Sequence, residues 1–256
     1  LANRTVLKRA RNVIVPDRFM AERVNRKRNV ADKLSAIPLW SHDRLIEPTN
    51  RIENPFRAAH NLGSRFVVMH AGNHGPSNPI ETLVDAAVLL RDDPRFVFVF
   101  VGGGIRKSRV EAVAGASILS LPYEPLERIK YSLSAADVQV VTQGDNMVGI
   151  VHPSKFYAAM AVARPVVFIG PAVSHAGEVI AQHEIGWRIE HGDAAGFAAL
   201  LRRCVGDGAS LMPATGARAR AVVQEYFSER AKCGELCDLI SATLNCEPTR
   251  RGATSG

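Results

Sequence analysis

From residue 64 onward the chain alternates short apolar runs with segments of helical length, and this alternation narrows the fold more than any other feature. The runs fall at 65–71, 95–101, 117–121, 137–142, 165–169 and 186–189. Most are continuously apolar, as from Phe96 to Val101, and do not alternate with polar residues. A strand of that composition is buried on both faces, as in a parallel sheet. Helices are expected at 79–91, 106–114, 125–135, 154–163, 173–183 and 194–205. Six strands joined by five of these helices predict an α/β fold, a Rossmann-like doubly wound parallel sheet.

The two ends read differently. Residues 13–16 followed by 17–26 form one isolated β-α unit, too small to fold alone, and a stretch through Pro38, Pro48 and Pro55 reads as a linker. The first residues read as the tail of a helix and no Met starts them, so a piece of a longer protein is expected. Residues 213–226 and 228–244 read as consecutive helices, the second with Ser228 as N-cap, and the last ten as a frayed end. Three parts are therefore expected: 1–50, a domain remnant plus linker; 51–208, the Rossmann-like domain; and 209–256, C-terminal helices packing back toward the first segment.

Charge is unevenly placed. The net charge is +7, and residues 1–33 alone hold ten basic and three acidic residues, so the remainder is balanced. This argues against a nucleic-acid-binding domain with a basic surface throughout. It is compatible with a basic arm that meets anionic lipid. No stretch reaches the roughly 18 uncharged apolar residues of a membrane span; Ala158 to Val173 comes nearest, broken by Arg164 and two prolines. Cys204, Cys233, Cys237 and Cys246 form no CxxC pair, no HExxH occurs, and no metal site is expected. A cytoplasmic location, peripheral at the inner membrane face through residues 1–33, is the expectation.

In such sheets ligands bind beyond the carboxyl ends of the strands. Two loops there carry candidate chemistry. Gly72-Asn73-His74-Gly75 follows the first strand, where glycine lets backbone approach an anion; a tight strand-to-helix turn reads the same way. His152-Pro153-Ser154-Lys155 precedes a helix that Ser154 could cap, and a lysine beside a helix N-terminus is misplaced for helix stability. A bound diphosphate would explain Lys155, as would solvation. Gly102-Gly103-Gly104 misses the dinucleotide fingerprint because Lys107 stands where a glycine is needed. His70 and Trp187 read as core residues, and Glu178 as a complement to a helix dipole.

Taken together, Gly72–Gly75, the run from Phe98 to Gly104, Leu121-Pro122-Tyr123, Ser134 to Val138, Pro153 to Tyr157, Ala161 to Val167 and Gly186 to Asp193 resemble, in that order, bacterial glycosyltransferases of family 4. The likeness runs from about residue 10 to 244 and points to the C-terminal, donor-binding half of a GT-B fold. By resemblance, residues 12–16 with Met20 match the last β-α unit of the acceptor domain. The chemistry implied is transfer of a sugar from a nucleoside diphosphate donor, UDP-sugar first, to a glycan or lipid-linked acceptor, with retention and without a metal or other cofactor. Lys155 is then the catalytic cation, and Gly72, Asn73, Gly75, Gly103, Pro122, Tyr123, Ser154, Lys155 and Glu178 hold the donor. The chain alone is expected to be inactive.

The sequence departs from that family where a ribose-binding glutamate is usual, in a Lys-x-x-Glu pattern: the position is Ala158. A second glutamate of the family falls on Ile150, and Pro76-Ser77-Asn78 replace its usual cations. Asp145 or Glu178 could substitute. A non-catalytic nucleotide-binding or assembly module, with catalysis supplied by a partner chain, is therefore the alternative; a nucleotide-sugar epimerase of the same fold is the third.

Overall fold

The computed structural model describes residues 2–41, 45–206 and 210–245. The end read as frayed, the expected boundary at 208/209 and Cys246 lie outside these residues. In chain order α1 (Ala2–Arg9), β1 (Val13–Val15), α2 (Arg18–Lys27), β2 (Leu34–Ala36) and α3 (Pro55–Ala59) come first. They are followed by β3 (Phe66–Asn73), α4 (Glu81–Leu89), β4 (Phe96–Gly103), α5 (Lys107–Glu111), β5 (Ile118–Leu121), α6 (Ile129–Ala135) and β6 (Val138–Thr142). The rest are α7 (Lys155–Ala161), β7 (Val166–Ile169), α8 (His175–His183), β8 (Gly186–Ile189), α9 (Ala194–Val205), α10 (Leu211–Tyr226) and α11 (Glu229–Asn245).

The expected α/β sheet is present. β3 to β8 form one parallel sheet in the order β5-β4-β3-β6-β7-β8. Winding proceeds outward one way from β3 and then the other way from β6, so the switch point lies between those two strands. β4 shows why its run lacks alternation. Phe96, Phe98 and Phe100 pack with α4 and α9 on one face, and Val97, Val99 and Val101 with α3 and α6 on the other. All six are buried, each contributing roughly 1.5–3 kcal/mol.

Pairing at the switch point is short. β3 and β4 stay in register from Phe66↔Phe96 to Asn73↔Gly103, whereas β3 and β6 pair only at Val68↔Val138 and Met69↔Gln139. Beyond that, the two strands part toward their carboxyl ends. The buried His70 bridges them: its Nδ1–H donates to the Val140 carbonyl at 3.0 Å. An imidazole stands where a backbone rung would otherwise be.

Three local readings change. The isolated β-α unit is closed by β2, which pairs parallel with β1 from Val13↔Leu34 to Val15↔Ala36. The proline-containing linker holds α3, whose N-cap Asn54 accepts from the Phe56 and Arg57 amides at 2.9 and 3.2 Å, with Pro55 at the first turn. The helix expected at 125–135 begins as a 3₁₀ turn at Leu126–Arg128. Pro213 lies in the first turn of α10, where a missing N–H costs little. Ser228 caps α11 as expected, its hydroxyl accepting from the Ala231 amide at 3.3 Å. The hydroxyl of Thr243 on α11 meets Asn12, and its carbonyl accepts from Arg11 at 3.1 Å. Among the described residues no helix is long and apolar enough to cross a membrane.

Candidate functional site

Lys155 opens α7 and projects into the gap between β3 and β6. Its Nζ donates to the Asn73 carbonyl at 3.2 Å. Its Cε and Nζ occupy the space a Cβ on residue 72 would need, and the φ of +126° at Gly72 is what requires glycine there. Among the described residues no carboxylate pairs with this ammonium. Burial lowers its pKa from 10.5 to about 8.

The surroundings of that cation are unusual. His74 is fully buried, and neither ring nitrogen has a hydrogen-bond partner. Burial first, then the Lys155 and Lys107 charges, bring its pKa down to about 4. Burial, followed by Lys155 and His74, holds His70 well below the ordinary histidine value. Two neutral rings beside an ammonium with no counter-ion form a cluster short of negative charge.

A cavity of about 230 Å³ extends from this point. Gly72, Val101, Tyr123, Glu124, Lys155 and Ala158 are among its walls. Tyr123 lies against Gly103: a Cβ there would sit 3.2 Å from Tyr123 Cε2, and the phenol hydroxyl is 3.5 Å from the Gly103 carbonyl. The ring is 59% exposed, leaving a flat face open, with Pro122 exposed beside it. Asn78 closes the turn of the glycine loop by donating its amide to Gly75 at 3.0 Å. Thus the structure brings Gly72, Asn73, Gly75 and Lys155 together, and Gly103, Pro122 and Tyr123 together at the same end of the sheet.

Ser154 and Glu178 are placed otherwise. Ser154 is exposed and makes no side-chain cap; its backbone (φ −58°, ψ −28°) is already helical, whereas a capping residue needs an extended one. The Phe156 amide instead bonds the Pro153 carbonyl at 3.1 Å. Glu178, on α8, is engaged by Arg18 of α2 and lines a separate groove with Trp187 and Arg188. Asp145 lies in a shallow cleft of about 300 Å³ with Gly170 and His191. Ile150 is 45% exposed, and Trp187 is half-buried against the core.

A second polar cluster flanks Lys155 in sequence. His152 Nδ1–H donates to Asp17 at 2.6 Å, and Tyr157 OH donates to His152 Nε2 at 2.7 Å. His175 Nε2–H then donates to the phenol oxygen at 2.9 Å. Asp17 also caps α2, accepting from the Met20 amide at 2.8 Å. Burial alone would raise its pKa, but His152 and that amide hold it below the usual carboxylate value. Burial brings His175 down to about 4 and pushes the Tyr157 phenol up. Sequence reading missed this cluster and Glu124; the only signal for Glu124 was its place directly after Tyr123.

Comparisons with known proteins bear on the family and the fold. The family model "Glycosyl transferases group 1" matches residues 65–207. "Probable glycosyltransferase WbjE" of Pseudomonas aeruginosa is 27% identical over 226 residues, 86% of this chain and 55% of that protein. WcaI of Escherichia coli, named for colanic acid biosynthesis, is 26% identical over 174 residues, 66% of this chain and 42% of its own length. The chain therefore spans about half the length of these curated relatives. Anabaena HepE, solved in complex with UDP and glucose, superposes with a TM-score of 0.79 at 16% identity, covering 94% of this chain and 66% of its own. At that identity the likeness is one of fold, the GT-B type. With its model matched over more than half of the sequence, the group 1 glycosyl transferase family is the one to which this chain belongs.

Proposed function

We propose that this chain is the donor-binding portion of a retaining glycosyltransferase that works without a metal and takes a nucleoside diphosphate sugar, UDP-sugar first. The observation that carries this is the unpaired ammonium of Lys155, held under the Gly72–Asn73 turn at the switch point and open to the cavity that reaches Tyr123. A diphosphate would supply the missing negative charge. As the sugar leaves, charge develops on the terminal phosphate, and a fixed cation in a partly dry site stabilises it more than water does. Lys155 fills that role, and in the loop around it the His74 amide is already given to the Gly103 carbonyl at 2.7 Å, which leaves Gly75 to approach the phosphate. Tyr123, stacked beside Gly103, offers its open face to the base. The UDP in the HepE complex supports the choice of nucleotide.

The acceptor, a glycan or lipid-linked glycan, is assigned to the part of the protein that precedes residue 50. The excess of basic residues in 1–33 suits contact with an anionic membrane surface on the cytoplasmic side. Calorimetry with UDP, GDP, ADP and TDP tests the donor reading. Lys155→Ala is expected to weaken the nucleotide that binds by more than about 1 kcal/mol, as for hydrogen bonds to charged groups; equal affinity overturns the assignment. One observation favours a second reading, a non-catalytic nucleotide-binding module: Ala158 presents a methyl group to the cavity where the resemblance puts a carboxylate. Sugar transfer by the complete protein, abolished by Lys155→Ala, would exclude it.

A further inference from the structure

We propose that Glu124 is the carboxylate that holds the vicinal hydroxyls of the donor's ribose, an assignment that rests on the nucleoside diphosphate reading above. Among the described residues lining the 230 Å³ cavity, Glu124 is the one carboxylate and Lys155 the one cation. They do not pair with each other. Lys155 bonds the Asn73 carbonyl, and among the described residues Glu124 meets only Arg128, at 3.5 Å from its Nε. A carboxylate offers about four lone-pair sites, and no other described side chain uses those of Glu124, although only 14% of its own side chain is exposed.

The other polar groups of the wall are committed. Ser132 donates to the Ile129 carbonyl at 3.0 Å, and the Gln139 amide to the Leu133 carbonyl at 2.7 Å. Ile46, Val101 and Leu133 supply apolar surface between. A ligand that fits this lining has an anionic group for Lys155, two adjacent hydroxyls for the carboxylate and a flat apolar part for Tyr123. A nucleoside 5′-diphosphate has all three, and the ribose hydroxyls are the donors that two oxygens of one carboxylate can accept together. The acid comes from the loop after β5, because the α7 residues lining this cavity are Lys155 and Ala158, neither of them a carboxylate.

The test is calorimetry on this chain with UDP, GDP and ADP and with the 2′,3′-dideoxy form of whichever binds. The dideoxy nucleotide is expected to bind wild type at least about tenfold more weakly, the scale of one charged hydrogen bond. Glu124→Gln should bring the parent nucleotide down to that level and leave the dideoxy form unchanged. Equal binding of the two nucleotides to wild type overturns the Glu124 assignment while the donor reading stands. So does a Glu124→Gln variant that weakens both alike. No binding of any nucleoside diphosphate to wild type overturns both.

Discussion

Two histidine clusters flank Lys155, and they are built on opposite terms. In Asp17–His152–Tyr157–His175 one proton assignment satisfies each of the bonds, and the carboxylate and the His152 ring are nearly fully buried. In His70–His74–Lys155, among the described residues, the ammonium has no counter-ion and His74 has no partner for either nitrogen. A buried polar group that is paired holds structure together, whereas one left unpaired costs about 1–3 kcal/mol. The first cluster is a clasp that ties the N-terminus of α2 to α7 and α8. The second keeps a deficit that a ligand can fill.

The largest expected effect breaks the clasp. Asp17→Ala removes the α2 cap and leaves the buried His152 ring without its acceptor, so unfolding free energy should fall by about 3 kcal/mol or more in a urea titration. A loss below about 1 kcal/mol would mean the clasp is not structural. The wild-type contribution has a definite pH window. Because the folded Asp17 pKa is lowered, its stabilisation is complete above the unfolded value of 3.8 and disappears as pH falls through the folded one.

Lys155→Met should do the reverse at the other cluster. Removing a half-buried charge that has no counter-ion among the described residues leaves thermal stability equal or higher, yet nucleotide affinity drops by about tenfold or more. Variants at the two sites that behaved alike would erase the distinction. The wild-type lysine also sets opposite pH trends. Between about 8 and 10.5 the unfolded chain binds the Lys155 proton and the folded one does not, so its contribution to stability rises with pH. A bound diphosphate favours the ammonium, so nucleotide affinity should fall above pH 8, by up to about tenfold per unit. Calorimetry from pH 7 to 9.5 checks this, and the slope should vanish in Lys155→Met.

The smallest effect is expected at His74. Its replacement by leucine removes a donor that has no acceptor and should be neutral or stabilising by about 1 kcal/mol in thermal unfolding. A clear loss of stability would show that the ring holds an unseen partner.

Most of the sheet was legible because β4 and β7 are apolar on both faces, and β3 and β6 are broken only by polar residues such as His70 and Gln139, so that composition announces burial. β2 and α3 were not: at three and five residues they are too short for periodicity to register. Asn54-Pro55 did carry a helix-start signal, hidden inside a stretch read as linker. In the site, the Gly72 turn, Lys155 and the Gly103–Tyr123 pair could be reached from motifs and strand ends. Ser154 could not be judged, since capping depends on a backbone angle that sequence does not reveal. The Asp17–His152 pair joins residues 135 apart in the chain, and Glu124 acquires meaning only from the cavity it lines.

The imidazole of His70 can be viewed as a spacer. A parallel sheet left to itself zips its strands to the end and leaves no slot at the middle. By handing the Val140 carbonyl to a ring, the chain fixes the distance between two strands that no longer touch. The width available to Lys155 and its ligand is then set by the size of one side chain. A shorter residue at position 70 would remove that bridge and leave the Val140 carbonyl without its donor.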